Sequence, residues 1–111
     1  MRKTGKLDYI EMSATGGTID HVKAFYSSAF GWSFTDYGPD YSAFDEGLEG
    51  GFQAEVQAKP LPILYSEALE ETLRAVEEAG GTIVKPIFSF PGGRRFHFTD
   101  PAGNELAVWG E

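Results

Sequence analysis

The sequence contains no cysteine, which excludes disulfide bonds, thiolate metal ligands and cysteine nucleophiles. Basic residues are scarce: nine Lys and Arg stand against 17 Asp and Glu, and the net charge is −8. So acidic a chain is a poor match for nucleic acid or an anionic membrane, and it favours neutral or cationic ligands. No apolar run is long enough to span a bilayer, and the basic N-terminus lacks the apolar segment of a signal peptide. We expect a cytoplasmic protein with neither nucleic acid nor membrane as a partner.

Aromatic residues are plentiful in this short chain. Hydrophobic residues make up 41% and aromatic residues 14% of the 111 positions. A chain of this length buries about two-thirds of the surface that it exposes when unfolded, which is enough for a hydrophobic core. The composition therefore predicts a single globular domain over residues 1–111.

The stretch Phe96–Trp109 predicts two strands joined by a specified turn. Asp100 can accept hydrogen bonds from turn amides, and Gly103 supplies a positive φ without steric cost. Apolar residues alternate with other residues on both sides of the turn, so each strand has one face that packs against a helix. The opposite, mixed face carries His97 and Trp109, and we expect a functional site there.

The chain predicts the order strand, helix, three strands, and then repeats that order. The first helix follows a possible N-cap at Thr18 and ends at Gly31, and the second follows a cap at Ser66 and ends at Gly80. The glycine-rich stretch Glu46–Gly51 is predicted to be a loop. The other predicted strands are Leu7–Ala14, Trp32–Tyr37, Tyr41–Asp45, Phe52–Ala58, Leu61–Tyr65 and Thr82–Phe90. The modules span about 6–58 and about 60–110.

Three polar side chains on predicted strands are candidates for chemistry, and each has a structural alternative. Glu11 lies between Ile10 and Met12, so it is either a solvated carboxylate or a site residue. His97 is either a hydrogen-bonded structural residue or a metal ligand. Arg95 either binds a substrate carboxylate or pairs with Glu105 across the last hairpin. Glu11 and His97 could act as acid and base if the fold brings them together.

Three stretches resemble the vicinal oxygen chelate superfamily, the group of glyoxalases, bleomycin-resistance proteins and extradiol dioxygenases. They are AFYSSAFGW at Ala24–Trp32, AVEEAGGTIVKP at Ala75–Pro86 and FTDPAGNELAVW at Phe98–Trp109. The resemblance covers nearly the whole chain. It implies an α+β fold in which two βαβββ modules form curled mixed sheets around a cup-like cavity, with the helices outside. Homodimers are common in this family, so we expect this protein to form a homodimer.

The family's chemistry uses a divalent metal, held by His, Gln or Glu, as a Lewis acid on vicinal oxygens of the substrate. Carried over position by position, the resemblance places Glu11 at the first ligand position and either Gln53 or Glu55 at the second. It places Leu61 and Ala107 at the remaining two positions, and neither side chain can bind a metal. We therefore expect no metal site and no cofactor, with a weakly bound divalent metal as the alternative.

Two functional classes stay open. The first is a small-molecule-binding protein of the bleomycin-resistance kind, whose aromatic residues and negative charge would suit a cationic, planar ligand. The second is a metal-dependent lyase, isomerase or dioxygenase that uses Glu11 and His97 as catalytic residues. Ala107 favours the first class. The predicted ligand-binding residues are Trp32, Tyr41, Phe44, Gln53, Phe90, Arg95 and Trp109.

Overall fold

The computed structural model describes residues 2–14, 19–54 and 59–111, and it repeats one order of elements. The first half contains β1 (Leu7–Ser13), α1 (Ile19–Phe30), β2 (Thr35–Asp36), β3 (Tyr41–Asp45) and β4 (Glu49–Gln53). The second half contains β5 (Leu61–Tyr65), α2 (Leu69–Glu78), β6 (Thr82–Phe90), β7 (Gly93–Thr99) and β8 (Glu105–Gly110). The predicted α+β class and the two βαβββ modules are confirmed.

The contacts divide the chain into two compact units. The first unit is Tyr9–Leu61, and the second combines Pro62–Glu111 with the N-terminal residues through Asp8. Within the described ranges, neither helix is long and apolar enough to cross a membrane.

The strands of the first unit follow the order β2-β3-β4-β1. β1 pairs with β4 in parallel, and the other two pairings are antiparallel. Ile10 and Met12 of β1 pack with Val22 and Tyr26 of α1, which confirms the predicted strand phase. The buried members of this core are Ala14, Ile19, Phe44 and Phe52.

Two strands of the first unit differ from the sequence prediction. β2 contains only two residues, and Trp32 and Phe34 from the start of the predicted strand precede it and pack against the core. The glycine-rich stretch is not a loop, because it forms the start of β4. A Cβ at Gly50 would meet the carbonyl oxygen of Ile10 and the ring of Phe44, so this strand needs glycine in order to pair closely. The end of the predicted strand, residues 55–58, and the predicted cap Thr18 lie outside the described residues.

The strands of the second unit follow the order β5-β8-β7-β6. β5 pairs with β8 in parallel, and the β8–β7 and β7–β6 pairings are antiparallel. Leu69 of α2 packs against Phe96 and Val108 in a core where each is at most 2% exposed. The pairing of β6 with β7 is irregular between Ile83 and Phe88, the segment that contains Pro86.

The predicted turn at Asp100 is confirmed in detail. Asp100 Oδ1 accepts hydrogen bonds from the amides of Ala102 and Asn104, both at 2.9 Å. Gly103 has a φ of 90°, a conformation that glycine adopts without strain. These bonds fix the loop between β7 and β8 and thereby fix the register of the final hairpin.

The predicted cap at Ser66 is wrong, because Ala68 occupies the N-cap position of α2 and makes no side-chain cap bond. Ser66 lies two residues earlier, and its Oγ accepts a hydrogen bond from the Ala68 amide at 2.9 Å. The same hydroxyl bonds to Thr72 Oγ1 at 2.7 Å. Ser66 therefore fixes the entry to the helix from two residues before its N-cap.

One ion pair in each unit joins the helix to the sheet. In the first unit, Lys23 of α1 donates to Asp36 at 2.7 Å, and the buried Ser42 hydroxyl donates to the same carboxylate at 2.8 Å. In the second unit, Arg94 of β7 donates to Glu70 of α2 at 2.6 Å. Both pairs are partly exposed and contribute little to stability by themselves, so apolar burial holds the helices in place.

We expect Phe96→Ala to destabilise the protein by about 3–5 kcal/mol, because the ring is fully buried and its removal leaves a cavity. The matched control is Phe25→Ala, because Phe25 is 56% exposed. This substitution should lower the free energy of unfolding by less than about 1 kcal/mol. Chemical denaturation measures both variants. Equal losses would contradict the placement of Phe96 in the core.

Candidate functional site

Glu11 lies on the face of β1 that points away from α1. Its neighbours Ile10 and Met12 pack in the helix-side core, so the alternation of the strand turns Glu11 to the other side. Glu11 is 6% exposed and pairs in register with Gly51 of β4. A buried carboxylate is unusual in a protein. The burial of Glu11 therefore excludes the interpretation of this residue as a solvated surface carboxylate.

Tyr41 and Gln53 share this face of the first unit. They lie opposite each other across β3 and β4. A Cβ at Gly51 would collide with the hydroxyls of Tyr41 and Tyr9, so both phenol groups lie close over the backbone of Gly51. The first unit thus gathers phenol, amide and carboxylate groups around Gly51.

Two predicted ligand-binding aromatic residues lie in the helix-side core. Trp32 stacks on Tyr26 of α1 with ring centroids 4.6 Å apart, and it lies 4.8 Å from Phe44. Phe44 is 7% exposed. Packing explains both aromatic side chains, and a ligand contact for Trp32 stays a prediction.

Three predicted site residues come together on the second unit, on the face of β7 and β8 away from α2. Their neighbours Phe96 and Val108 belong to the core against α2, so His97 and Ala107 face the other way. Arg95 lies opposite Trp109, and His97 lies opposite Ala107. The predicted phase of the last hairpin is therefore confirmed. Whether Glu11 and His97 share one cavity stays a prediction.

Arg95 lies among aromatic rings. The centre of its guanidinium lies 5.5 Å from the ring centroid of Phe88 and 5.7 Å from that of Phe90. Both distances fall within the range of cation–π attraction. Glu105, the alternative partner considered for Arg95, pairs in register with Thr99 and makes a hydrogen bond to His97.

His97 is oriented by a carboxylate. Its side chain is 1% exposed, and its Nδ1 donates to Glu105 Oε2 at 3.0 Å. Burial lowers the pKa of His97 below the ordinary value of 6.5, and Arg95 and Lys85 lower it further, while the bond to Glu105 opposes them. The ring is therefore neutral near pH 7, with the proton on Nδ1.

Trp109 is fixed by the N-terminal segment of its own unit. The indole Nε1 donates to Asp8 Oδ2 at 3.0 Å, and the guanidinium of Arg2 lies 5.2 Å from the centroid of the indole ring. Tyr65 contacts the indole edge to face at 5.2 Å. Asp8 also forms an ion pair with Arg2, so its carboxylate contacts both Trp109 and Arg2.

Sequence reasoning missed a cleft in the first unit. Its volume is about 350 Å³, and aromatic rings and carboxylates share its wall. Asp45 lies directly opposite Glu49 across β3 and β4, an arrangement of like charges that destabilises a sheet. The lining residues are Tyr9, Ser33, Phe34, Thr35, Tyr37, Ala43, Phe44, Asp45, Glu46, Glu49 and Gly50. The acidic run between two aromatic-rich strands is the sequence signal that could have indicated this cleft.

The residues do not fit the metal that the family resemblance implies. Leu61 and Ala107, at two of the four expected ligand positions, are buried hydrocarbon side chains that cannot coordinate an ion. Glu11 and Gln53 remain as donors, and Glu55 lies outside the described residues. Among the side chains that the structure describes, no three His, Asp or Glu residues form a group suited to a metal.

We expect protein purified without chelator to hold no stoichiometric divalent ion, because two ligand positions are apolar. Elemental analysis measures this, and one Zn, Ni, Mn or Fe per chain would contradict it. Ala107→Glu should raise metal affinity, since it restores a donor opposite His97. Ala107→Leu adds similar bulk without a donor, and it should leave the affinity unchanged.

We expect the free energy of unfolding to fall as the pH drops below about 6.5. The unfolded chain then binds a proton on His97 that the folded chain resists, so the loss continues until the lowered folded pKa is reached. The loss should not exceed about 1.4 kcal/mol per pH unit for this one group.

His97→Gln should remove this part of the pH dependence, and denaturant titrations at several pH values measure it. His21→Gln is the matched control, because His21 is the only other histidine and is exposed. An unchanged pH profile in His97→Gln would show that His97 is not the group responsible.

Comparison with known proteins agrees with this geometry. Residues 61–108 match the family model of the Glyoxalase/Bleomycin resistance protein/Dioxygenase superfamily. None of the curated proteins compared with the chain matches it in sequence.

Solved structures resemble the chain over nearly its full length. A glyoxalase/bleomycin resistance protein/dioxygenase superfamily member from Vibrio splendidus has a TM-score of 0.74 at 14% identity, covering 96% of this chain and 100% of its own. An NAD-dependent benzaldehyde dehydrogenase from Legionella pneumophila has a TM-score of 0.75 at 16% identity, with 92% and 96% covered. The Mn(II)-bound glyoxalase from Novosphingobium aromaticivorans has a TM-score of 0.68 at 19% identity, with 99% and 40% covered.

At these identities the structural likeness shows the fold, while the family model rests on the sequence of the second module. The two findings agree with the repeated βαβββ order and with the hairpin around Asp100. Residues 61–108 therefore match the glyoxalase/bleomycin resistance protein/dioxygenase superfamily in sequence, and the chain as a whole shares the fold of these solved structures.

Proposed function

We propose that this protein binds a small, planar, cationic organic molecule in the cleft of the first unit, without a bound metal. The observation that carries the proposal is the pair Asp45 and Glu49, which face each other across β3 and β4 at an aromatic-walled cleft of about 350 Å³. A concave, aromatic site with a few convergent polar groups is the usual form of a small-molecule site.

The two carboxylates supply the preference for positive charge. A cation bound at this end of the two strands would lie close to both acidic side chains and be attracted by each of them. Glu46 adds a third carboxylate, which accepts a hydrogen bond from the Ser33 amide at 3.1 Å and is thereby held at the cleft. The net charge of −8 also draws cations towards the protein.

The aromatic side chains supply the preference for a planar ligand. Tyr37 is 65% exposed, and its ring centroid lies 6.3 Å from that of Tyr41. Phe34 and Tyr9 also line the cleft. Aromatic faces attract cations and stack on flat rings. A planar cation can therefore contact the aromatic side chains and the carboxylates of the cleft at the same time.

The metal-dependent lyase, isomerase or dioxygenase stays the alternative hypothesis. It requires a donor set that the described side chains do not provide. The homodimer that the family resemblance implies, like the cytoplasmic location, also stays a prediction.

A planar cation, 10-methylacridinium, should bind more tightly than acridine, its uncharged analogue at mildly alkaline pH. The double variant Asp45→Asn/Glu49→Gln should weaken binding of the cation about fivefold, as expected for two solvent-exposed ion pairs, and should leave acridine unaffected. Fluorescence titration measures both ligands, and added salt should weaken only the cation.

The matched control is Glu71→Gln/Glu77→Gln, which makes the same change in net charge on the exposed face of α2. This control should bind 10-methylacridinium as the unchanged protein does. If it weakens binding as much as the cleft variant, only the overall charge attracts the ligand. Equal binding of the two acridines would also refute the proposal.

A further inference from the structure

Two hydroxyl groups that line the cleft of the first unit have no use in the fold. Tyr9 comes from the strand β1, and Thr35 comes from β2, at the other end of the order β2-β3-β4-β1. Among the residues that the structure describes, neither hydroxyl makes a hydrogen bond. Neither hydroxyl oxygen is buried, so both are accessible to a molecule in the cleft.

The strand pairing places the two hydroxyls on either side of Ala43. Thr35 pairs with Ala43, and Ala43 pairs in turn with Gly51. The hydroxyl of Tyr9 lies over the backbone of Gly51, because a Cβ at that glycine would collide with it. The methyl group of Ala43 is the only side chain at the middle position of this row. A ligand that lies over Ala43 would therefore meet one hydroxyl at each end.

The spacing of the strands gives the size of the ligand. Adjacent strands lie about 4.8 Å apart, so the backbones of Thr35 and Gly51 are separated by about 10 Å. A hydrogen bond takes up about 3 Å at each end, which leaves about 4 Å between the two polar atoms of the ligand. This length matches a single six-membered ring with a ring nitrogen at one end and an amino nitrogen at the other.

The carboxylates of the cleft decide which partner donates the hydrogen bonds. Asp45 lies two residues beyond Ala43 on β3 and hence on the same face of the strand. A carboxylate only accepts hydrogen bonds, and a hydroxyl oxygen can accept them as well. A cation that carries N–H groups can therefore bond to the hydroxyls while Asp45 attracts its charge. A fully methylated cation would leave both hydroxyls without a partner.

We propose that the ligand of this cleft is a protonated, amino-substituted nitrogen heterocycle of one ring, whose N–H groups donate to Tyr9 and Thr35. The inference rests on the proposed function, and it narrows the ligand from planar cations in general to cations with a donor at each end. Tyr9 and Thr35 are the residues that determine specificity.

Calorimetric titration with 4-aminopyridine and 4-dimethylaminopyridine tests the inference near neutral pH, where both compounds are planar cations. The methyl groups remove the N–H donors of the amino group and keep the ring, the charge and the ring N–H. The unchanged protein should bind 4-aminopyridine about fivefold more tightly, as expected for one hydrogen bond. Tyr9→Phe/Thr35→Val should bind the two compounds equally, because it removes both hydroxyls and nearly preserves the side-chain volumes.

The matched control is Tyr37→Phe, which removes a phenol hydroxyl from the same cleft but outside the row of Thr35 and Ala43. The amide of Tyr37 donates to the carbonyl of Tyr41, so Tyr37 lies one same-face position further along the strand pair. This variant should keep the preference for 4-aminopyridine. Tyr9→Phe/Thr35→Val should bind 10-methylacridinium as the unchanged protein does, because this cation has no N–H group.

Equal binding of the two pyridines by the unchanged protein, or no binding of either, would overturn the inference. A preference that survives in Tyr9→Phe/Thr35→Val, or one that is lost in Tyr37→Phe, would overturn it too. The proposed function fails only if 10-methylacridinium also does not bind, so the two failures are distinguishable. Should the double variant not fold, Tyr9→Phe and Thr35→Val are measured separately, and a full preference in both refutes the inference.

Discussion

The burial of alternate strand residues against a helix determines the direction of the other side chains in each unit. In the second unit, Phe96 and Val108 pack against Leu69 of α2. A shift of one residue in this hairpin would place Arg95 and Glu105 in that core instead, and burying two charges there would cost far more than the hairpin gains. The packing of the apolar core is thus sufficient to fix which side chains lie on the polar face, independently of the contacts that those side chains make with one another.

Patterns that act over a few residues could be interpreted from the sequence. The alternation around Asp100 predicted both the turn and the strand faces, because side-chain direction in a strand depends only on position. The start of β4 was missed, because the need for Gly50 comes from Ile10 and Phe44, which approach it from other strands.

The candidate sites depend even more on distant parts of the chain. The cleft combines Tyr9 of β1, Tyr37 after β2 and Glu49 of β4, and no single stretch contains enough of it to be noticed. The bond between His97 and Glu105 joins β7 to β8, so it depends on the strand register. The position of Trp32 in the core likewise depends on its stacking against Tyr26 of α1, a contact that strand periodicity does not specify.

The irregular segment around Pro86 also limits how this protein can self-associate. β6 is the outer strand of its unit, and an outer strand offers free amide and carbonyl groups to any chain that approaches. Pro86 has no amide hydrogen to donate. The shift of register between Lys85 and Phe88 also interrupts the regular row of backbone groups with which another strand could pair. Sheet extension along β6, the route to fibrous aggregates and edge-paired assemblies, is therefore disfavoured by the strand itself.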